Sequence, residues 1–165
     1  MRGKTLFPLP PVPSDVVQTP AEVAQDVVNY FAPSGRCLDP CRGNGVFWRN
    51  LPAGADWCEV QEGRDFYDWT ERVDWIVSNP PYSIFADWLR HSFEVADNIV
   101  YLIPINKAFN SYRMMREISD FGGIPTIYVV GPGSQLKFGI GYAIGAIHFQ
   151  RGYSGGTQVV FREAP

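Results

Sequence analysis

Cys37-Leu38-Asp39-Pro40-Cys41-Arg42-Gly43-Asn44-Gly45 places an acid and a glycine loop where a short apolar strand gives way to a helix. Glycine lets a backbone approach a ligand closely, and open α/β sheets keep their clefts at the ends of such strands. The spacing departs from the dinucleotide pattern GxGxxG, because Trp48 stands where the third glycine would be. Taken alone, the stretch predicts a nucleotide-like ligand and leaves its identity open.

Working outward, short apolar segments alternate with amphipathic ones, the rhythm of an α/β fold with a mostly parallel sheet. Strands are predicted near 36–39, 56–60, 75–78, 99–103, 126–130 and 143–149, within a three-layer, Rossmann-like, seven-stranded sheet. Helices are predicted at 45–50, at 84–95 with Ser83 as cap, and at 111–121, ending at Gly122-Gly123. Ahead of them, Thr19-Pro20-Ala21-Glu22 reads as a capped helix start, with Thr19 as cap, Pro20 at the first position and Glu22 completing a capping box. Pro33-Ser34-Gly35 stops that helix. The last two strands are joined by residues 131–141, GPGSQLKFGIG, too short and glycine-rich for a crossover helix, so they should pair antiparallel. Residues 1–18 carry four of the fourteen prolines and should run as an extended arm. Residues 19–165 should form one domain.

Hydrophobic residues at 45% and charged residues at 19% exclude a disordered chain. No apolar run is long enough for a membrane span, and the start lacks a signal-peptide core, so a cytoplasmic protein with no membrane partner is expected. Cys37, Cys41 and Cys58 form no CxxC pair, which favours reduced structural thiols and no metal site. The formal charge of −3 is unevenly spread. Residues 1–99 hold 8 Lys/Arg against 14 Asp/Glu, whereas residues 100–165 hold 6 against 3. A polyanion would therefore approach Lys107, Arg113, Arg116, Lys137, Arg151 or Arg162.

Three further acids and turns carry chemistry. Glu59, after the second strand, is placed to reach ribose hydroxyls. Asp65-Phe66 pairs an acid that could hold an adenine amino group with a ring that could cover its face. Asn79-Pro80-Pro81-Tyr82 follows an apolar strand, and two prolines fix the backbone there. Such a turn can aim the Asn79 amide oxygen and the Pro80 carbonyl at one planar amino group, while Tyr82 stacks on the ring that bears it.

Read together, Asp39-Pro40 with Gly43-x-Gly45, then Asp65-Phe66, then Asn79-Pro80-Pro81-Tyr82, resemble the class I methyltransferases that modify amino nitrogens, in particular the DNA adenine N6-methyltransferases. The order, with the cofactor segment before the catalytic tetrapeptide, is that of their gamma group. The resemblance covers residues 19–104 by motif and the remainder by strand pattern. It implies S-adenosylmethionine as cofactor, held by Thr19, Pro20, Asp39, Pro40, Cys41, Gly43, Gly45, Glu59, Asp65, Phe66 and Asn79. It implies Asn79, Pro80, Pro81 and Tyr82 as the catalytic set, with no metal. Lys107, Lys137 and Phe138 are further candidates for contacting the substrate.

The implied substrate is adenine in double- or single-stranded DNA, flipped out where it is paired. RNA adenine and the amide of a protein glutamine present the same kind of amino group and stay as alternatives, as does a non-catalytic cofactor-binding subunit. Family members that read a DNA sequence usually carry a recognition domain or long insertion. Neither is visible here, which implies relaxed specificity or recognition through a partner or a homodimer. The small size and Pro-rich start resemble bacteriophage or prophage enzymes, with a bacterial host cytoplasm as location and restriction-modification as context.

Overall fold

The computed structural model of the protein describes residues 18–136, 138 and 141–163. The expected Pro-rich arm therefore lies, except for Gln18, outside the described residues, as does Lys137. Seven strands form one sheet: β1 (Cys37–Asp39), β2 (Asp56–Trp57), β3 (Val73–Ser78), β4 (Ala96–Pro104), β5 (Gly122–Pro132), β6 (Ala143–Arg151) and β7 (Gln158–Phe161). Their spatial order is β2-β1-β3-β4-β6-β5-β7. Strand β6 runs antiparallel to both of its neighbours, and every other pairing is parallel. The mostly parallel seven-stranded sheet with an antiparallel C-terminal hairpin is thus the observed architecture.

The pleat divides the core between two faces. Along β4, Ile99, Tyr101 and Ile103 point into one apolar cluster, and Val100 and Leu102 into the other. The first cluster is covered by α2 (Phe85–Val95) and α3 (Tyr112–Phe121), the second by α1 (Ala21–Phe31) and residues 46–51. Three layers result because a strand buried on both faces needs cover on both. Helix α1 buries Val23, Ala24, Val27 and Val28 along one stripe, and α3 buries Met114, Ile118 and Phe121.

The local signals are corrected in four places. The helix expected at 45–50 is one 3-10 turn, Trp48–Asn50, because Pro52 leaves the chain too little length to propagate. Helix α1 has Pro20 at its cap position with no side-chain cap, so Thr19 does not cap it and there is no capping box. Nor does Ser83 cap α2, which grows directly out of a 3-10 turn at Tyr82–Ile84. Strand β7, which the sequence reading did not locate, adds to the edge of β5 with Val159 and Phe161 largely exposed. Ser111 does cap α3, its hydroxyl accepting from Met114 N at 3.1 Å.

The link from β6 to β7 passes over the start of β5, and Gly122 makes the room. A Cβ there would stand 2.1 Å from the Gln150 carbonyl oxygen and 2.5 Å from Gly152 N. No helix among the described residues is long and apolar enough to cross a membrane.

Candidate functional site

Parallel strands β1, β3 and β4 end on the same edge of the sheet, and the loops that follow them carry most of the predicted site. Asp39, at the end of β1, is 1% exposed. Its carboxylate accepts from Ser78 Oγ at 2.6 Å, Trp48 N at 3.1 Å and Cys41 N at 3.3 Å. Burial pushes this carboxyl up to about 6, against those three hydrogen bonds, which pull it down. Asp39 therefore ties the end of β1 to the end of β3 and to the far side of the glycine loop.

The loop itself is pinned from below. Cys58 N donates to the Asp39 carbonyl at 2.9 Å, Arg42 N to the Cys58 carbonyl at 3.0 Å and Gly45 N to the Arg42 carbonyl at 2.8 Å. Glu59 accepts from Gly43 N at 2.8 Å through Oε2 and from Gln61 N at 3.2 Å through Oε1. Gly43 has φ +52°, and a Cβ built on it meets nothing within 4 Å. The loop thus presents an exposed, left-handed glycine beside a carboxylate, a cradle in which a nucleoside with free ribose hydroxyls would fit. Cys37 and Cys58 are buried free thiols raised to about 11 by desolvation, and Cys41 is half-buried. Buried as they are, the Cys37 and Cys58 thiols stay protonated and unreactive.

Asn79 leaves the end of β3 and finds a partner from far away in the chain: its Nδ2 donates to Thr19 Oγ1 at 3.0 Å. Thr19, 6% exposed, is thereby brought to the Asn79 turn and away from the helix cap expected of it. Its neighbour Pro20 starts α1 directly beside this contact. Pro80 is buried and Pro81 half-buried, with φ −66° and ψ 119°. Tyr82 is 4% exposed and directs its hydroxyl towards the Leu102 carbonyl at 3.4 Å, so in this structure its ring belongs to the core.

Other predicted residues lie elsewhere. Asp65 accepts from Tyr67 N at 3.0 Å and caps a 3-10 turn. Phe66 is 1% exposed, packed against Trp88 and His91 of α2 at 4.8 and 4.6 Å between ring centroids. The ring is drawn inward by that aromatic cluster and presents no open face. Phe138 likewise packs inward, in the cluster with Val130 and Ile144, because its N donates to the Gly133 carbonyl at 3.0 Å and folds the hairpin loop over the core. Lys107 is half-buried in the 3-10 turn Ile105–Ala108 that follows β4.

The Ser78–Asp39 contact leaves only a weak trace in the sequence, a polar residue at the end of an apolar strand. Thr19, which the resemblance sets among the cofactor residues, lies at the Asn79 turn, with its hydroxyl on the Asn79 amide and not on the start of α1.

Solved structures share this architecture. A protein described as a class I S-adenosylmethionine-dependent methyltransferase from Listeria monocytogenes superposes with a TM-score of 0.65 at 11% identity, covering 91% of this chain and 66% of that one. The fold is that of the class I methyltransferases. A protein described as a modification subunit of a type I restriction enzyme from Vibrio vulnificus gives a TM-score of 0.60 at 14% identity, covering 93% of this chain and 48% of its own. This chain thus spans about half the length of that subunit. A protein described as an RNA methyltransferase from Pyrococcus horikoshii gives 0.59 at 15% identity, covering 86% and 90% of the two chains. No protein-family model matches the sequence, and no curated protein does.

Proposed function

We propose that this protein transfers a methyl group from S-adenosylmethionine to the exocyclic N6 of adenine in DNA. The observation that carries the reading is the convergence of Thr19, Asp39 and Asn79 at one sheet edge through the Thr19–Asn79 and Ser78–Asp39 hydrogen bonds. The likeness to a restriction-modification subunit supports DNA as the substrate. The cofactor, when bound, supplies a methyl group on a sulfonium centre that is already a good leaving group.

The chain's own residues do the rest. Gly43 and Glu59 receive the nucleoside end of the cofactor, and Thr19 and Pro20 flank its amino-acid end. Thr19 holds the Nδ2 end of the Asn79 amide, which turns Oδ1 away from Thr19 and towards the substrate side. Oδ1 and the Pro80 carbonyl accept the two amino hydrogens of adenine. An adenine amino nitrogen is a poor nucleophile because its lone pair is delocalised into the ring; two acceptors favour its pyramidal form and place the lone pair in line. No general base is needed before transfer.

The test is transfer of labelled methyl to duplex DNA, single-stranded DNA and RNA by wild type and Asn79→Ala, with products digested to nucleosides. Label in N6-methyladenine of DNA, lost in the variant, is the expected result. Label confined to RNA or protein overturns the DNA assignment.

A further inference from the structure

Three of the six basic residues in the last third of the chain are already paired with acids. Arg151 is committed to Asp97 at 2.9 Å and to the carbonyls of Phe93 and Ala96. Arg162 pairs with Asp26 at 2.6 Å and Arg113 with Glu117 at 2.9 Å. Lys107 and Arg116 have no acidic partner among the described residues, and residues 105–116 contain no acid at all.

The same stretch exposes aromatic rings that a globular protein would ordinarily cover. Tyr112 is 86% exposed and Phe109 42% exposed. Tyr112 and Arg116 are one helical turn apart on the outer side of α3, whose inner side is Met114 and Ile118. A third ring joins them from the hairpin. Pro104, the last residue of β4, pairs with Ile144, so Tyr142, 59% exposed, stands just beyond the end of β4, where residues 105–112 begin. The turn at Ile105 packs directly over β6, since a Cβ on Gly145 would meet Ile105 Cγ1 at 2.8 Å. The Asn79–Tyr82 turn abuts the same strand end through Tyr82 and the Leu102 carbonyl.

We infer that Phe109, Tyr112 and Tyr142, with Lys107 and Arg116, form a platform for unpaired DNA beside the Asn79 turn. This rests on the DNA reading above. Base faces stack on exposed rings regardless of sequence, and cations interleaved with the rings track the phosphates. A duplex offers phosphates but no free base faces, so it would engage the two cations and leave three rings in water. An unpaired strand uses all five residues. The platform thus deepens the reading by making single-stranded or locally opened DNA the preferred substrate.

The test is binding of a labelled oligothymidylate, which contains no adenine and so does not depend on methyl transfer, against a duplex of equal length. Tighter binding of the single strand is expected. Tyr112→Ala and Phe109→Ala should each weaken it about tenfold, with Tyr112→Trp retaining it and the duplex affinity unmoved. Lys107→Ala and Arg116→Ala should each reduce the salt dependence. Equal affinity for duplex and single strand, or alanine variants that bind oligothymidylate as wild type, overturns the platform. So does a Tyr112→Ala effect on self-association in sedimentation with no effect on the oligonucleotide, which assigns the rings to a second copy of the chain. Failure here with intact transfer to adenine leaves the methyltransferase reading standing; binding without transfer does the reverse.

Discussion

Thr19 Oγ1 accepts a hydrogen bond from Asn79 Nδ2 at 3.0 Å, joining the entry to α1 with the end of β3 across 60 residues of chain. The contact orients an amide that has two chemically different ends, and only one of them can accept from an amino group. Thr19→Val keeps the shape and removes the acceptor. We expect kcat to fall about ten- to a hundredfold with little change in KM for DNA, and Thr19→Ser to restore most of it. A Thr19→Val enzyme with wild-type kcat would discard the positioning role.

Ser78 and Asp39 form a second such tie, at 2.6 Å and fully inside the protein. Ser78→Ala leaves a buried carboxylate short of a donor, which costs about 1–3 kcal/mol. Urea unfolding should show the loss as a lower midpoint with an unchanged slope. An unchanged midpoint would mean that Asp39 finds another donor.

Asp39 and His148 should make opposite contributions to stability in mild acid. Burial raises Asp39 to about 6, above its unfolded value of about 4. Its contribution is full below pH ~4 and is lost as pH rises through about 6. Burial against Trp75 lowers His148 to about 4, below its unfolded value of about 6.5. That contribution is full above pH ~6.5 and is lost as pH falls through about 4. Between pH 4 and 6 the two slopes oppose each other. Relative to wild type, His148→Gln should gain stability on acidification across that window, by up to about 3 kcal/mol, and Asp39→Asn should lose it. Parallel curves for all three proteins would refute both shifts.

Elements with a strong local signal were legible in the sequence. The alternation of apolar strands with amphipathic segments gave the sheet, and the glycine-rich link 131–141 gave the antiparallel hairpin, because both depend on local pattern. What escaped was set by distant partners. Thr19 has the local chemistry of a cap, yet a side chain 60 residues away claims its hydroxyl. Phe66 and Tyr82 look like ligand-stacking rings in sequence, but whether a ring faces a cleft or the core depends on α2 and β4, which pack around them. Strand β7 is short, lies at the sheet edge and exposes its apolar residues, so no alternation marks it.

Two glycines separate the demands of the fold from those of the site. Gly122→Ala would drive a methyl group against the backbone at Gln150 and Gly152, atoms that no rotamer change can move. Overpacking of this kind costs about 1–3 kcal/mol or more and should lower Tm while leaving cofactor affinity, measured well below Tm, intact. Gly43→Ala meets no neighbour, so its cost is confined to the left-handed backbone, about 1–2 kcal/mol. Its methyl group, however, points into the open space proposed to receive the nucleoside. Calorimetric titration with S-adenosylmethionine should therefore show a large loss of affinity in Gly43→Ala and almost none in Gly122→Ala. The opposite ranking would place the cofactor away from the 43–45 loop, because a methyl group in truly empty space has no other way to leave binding untouched.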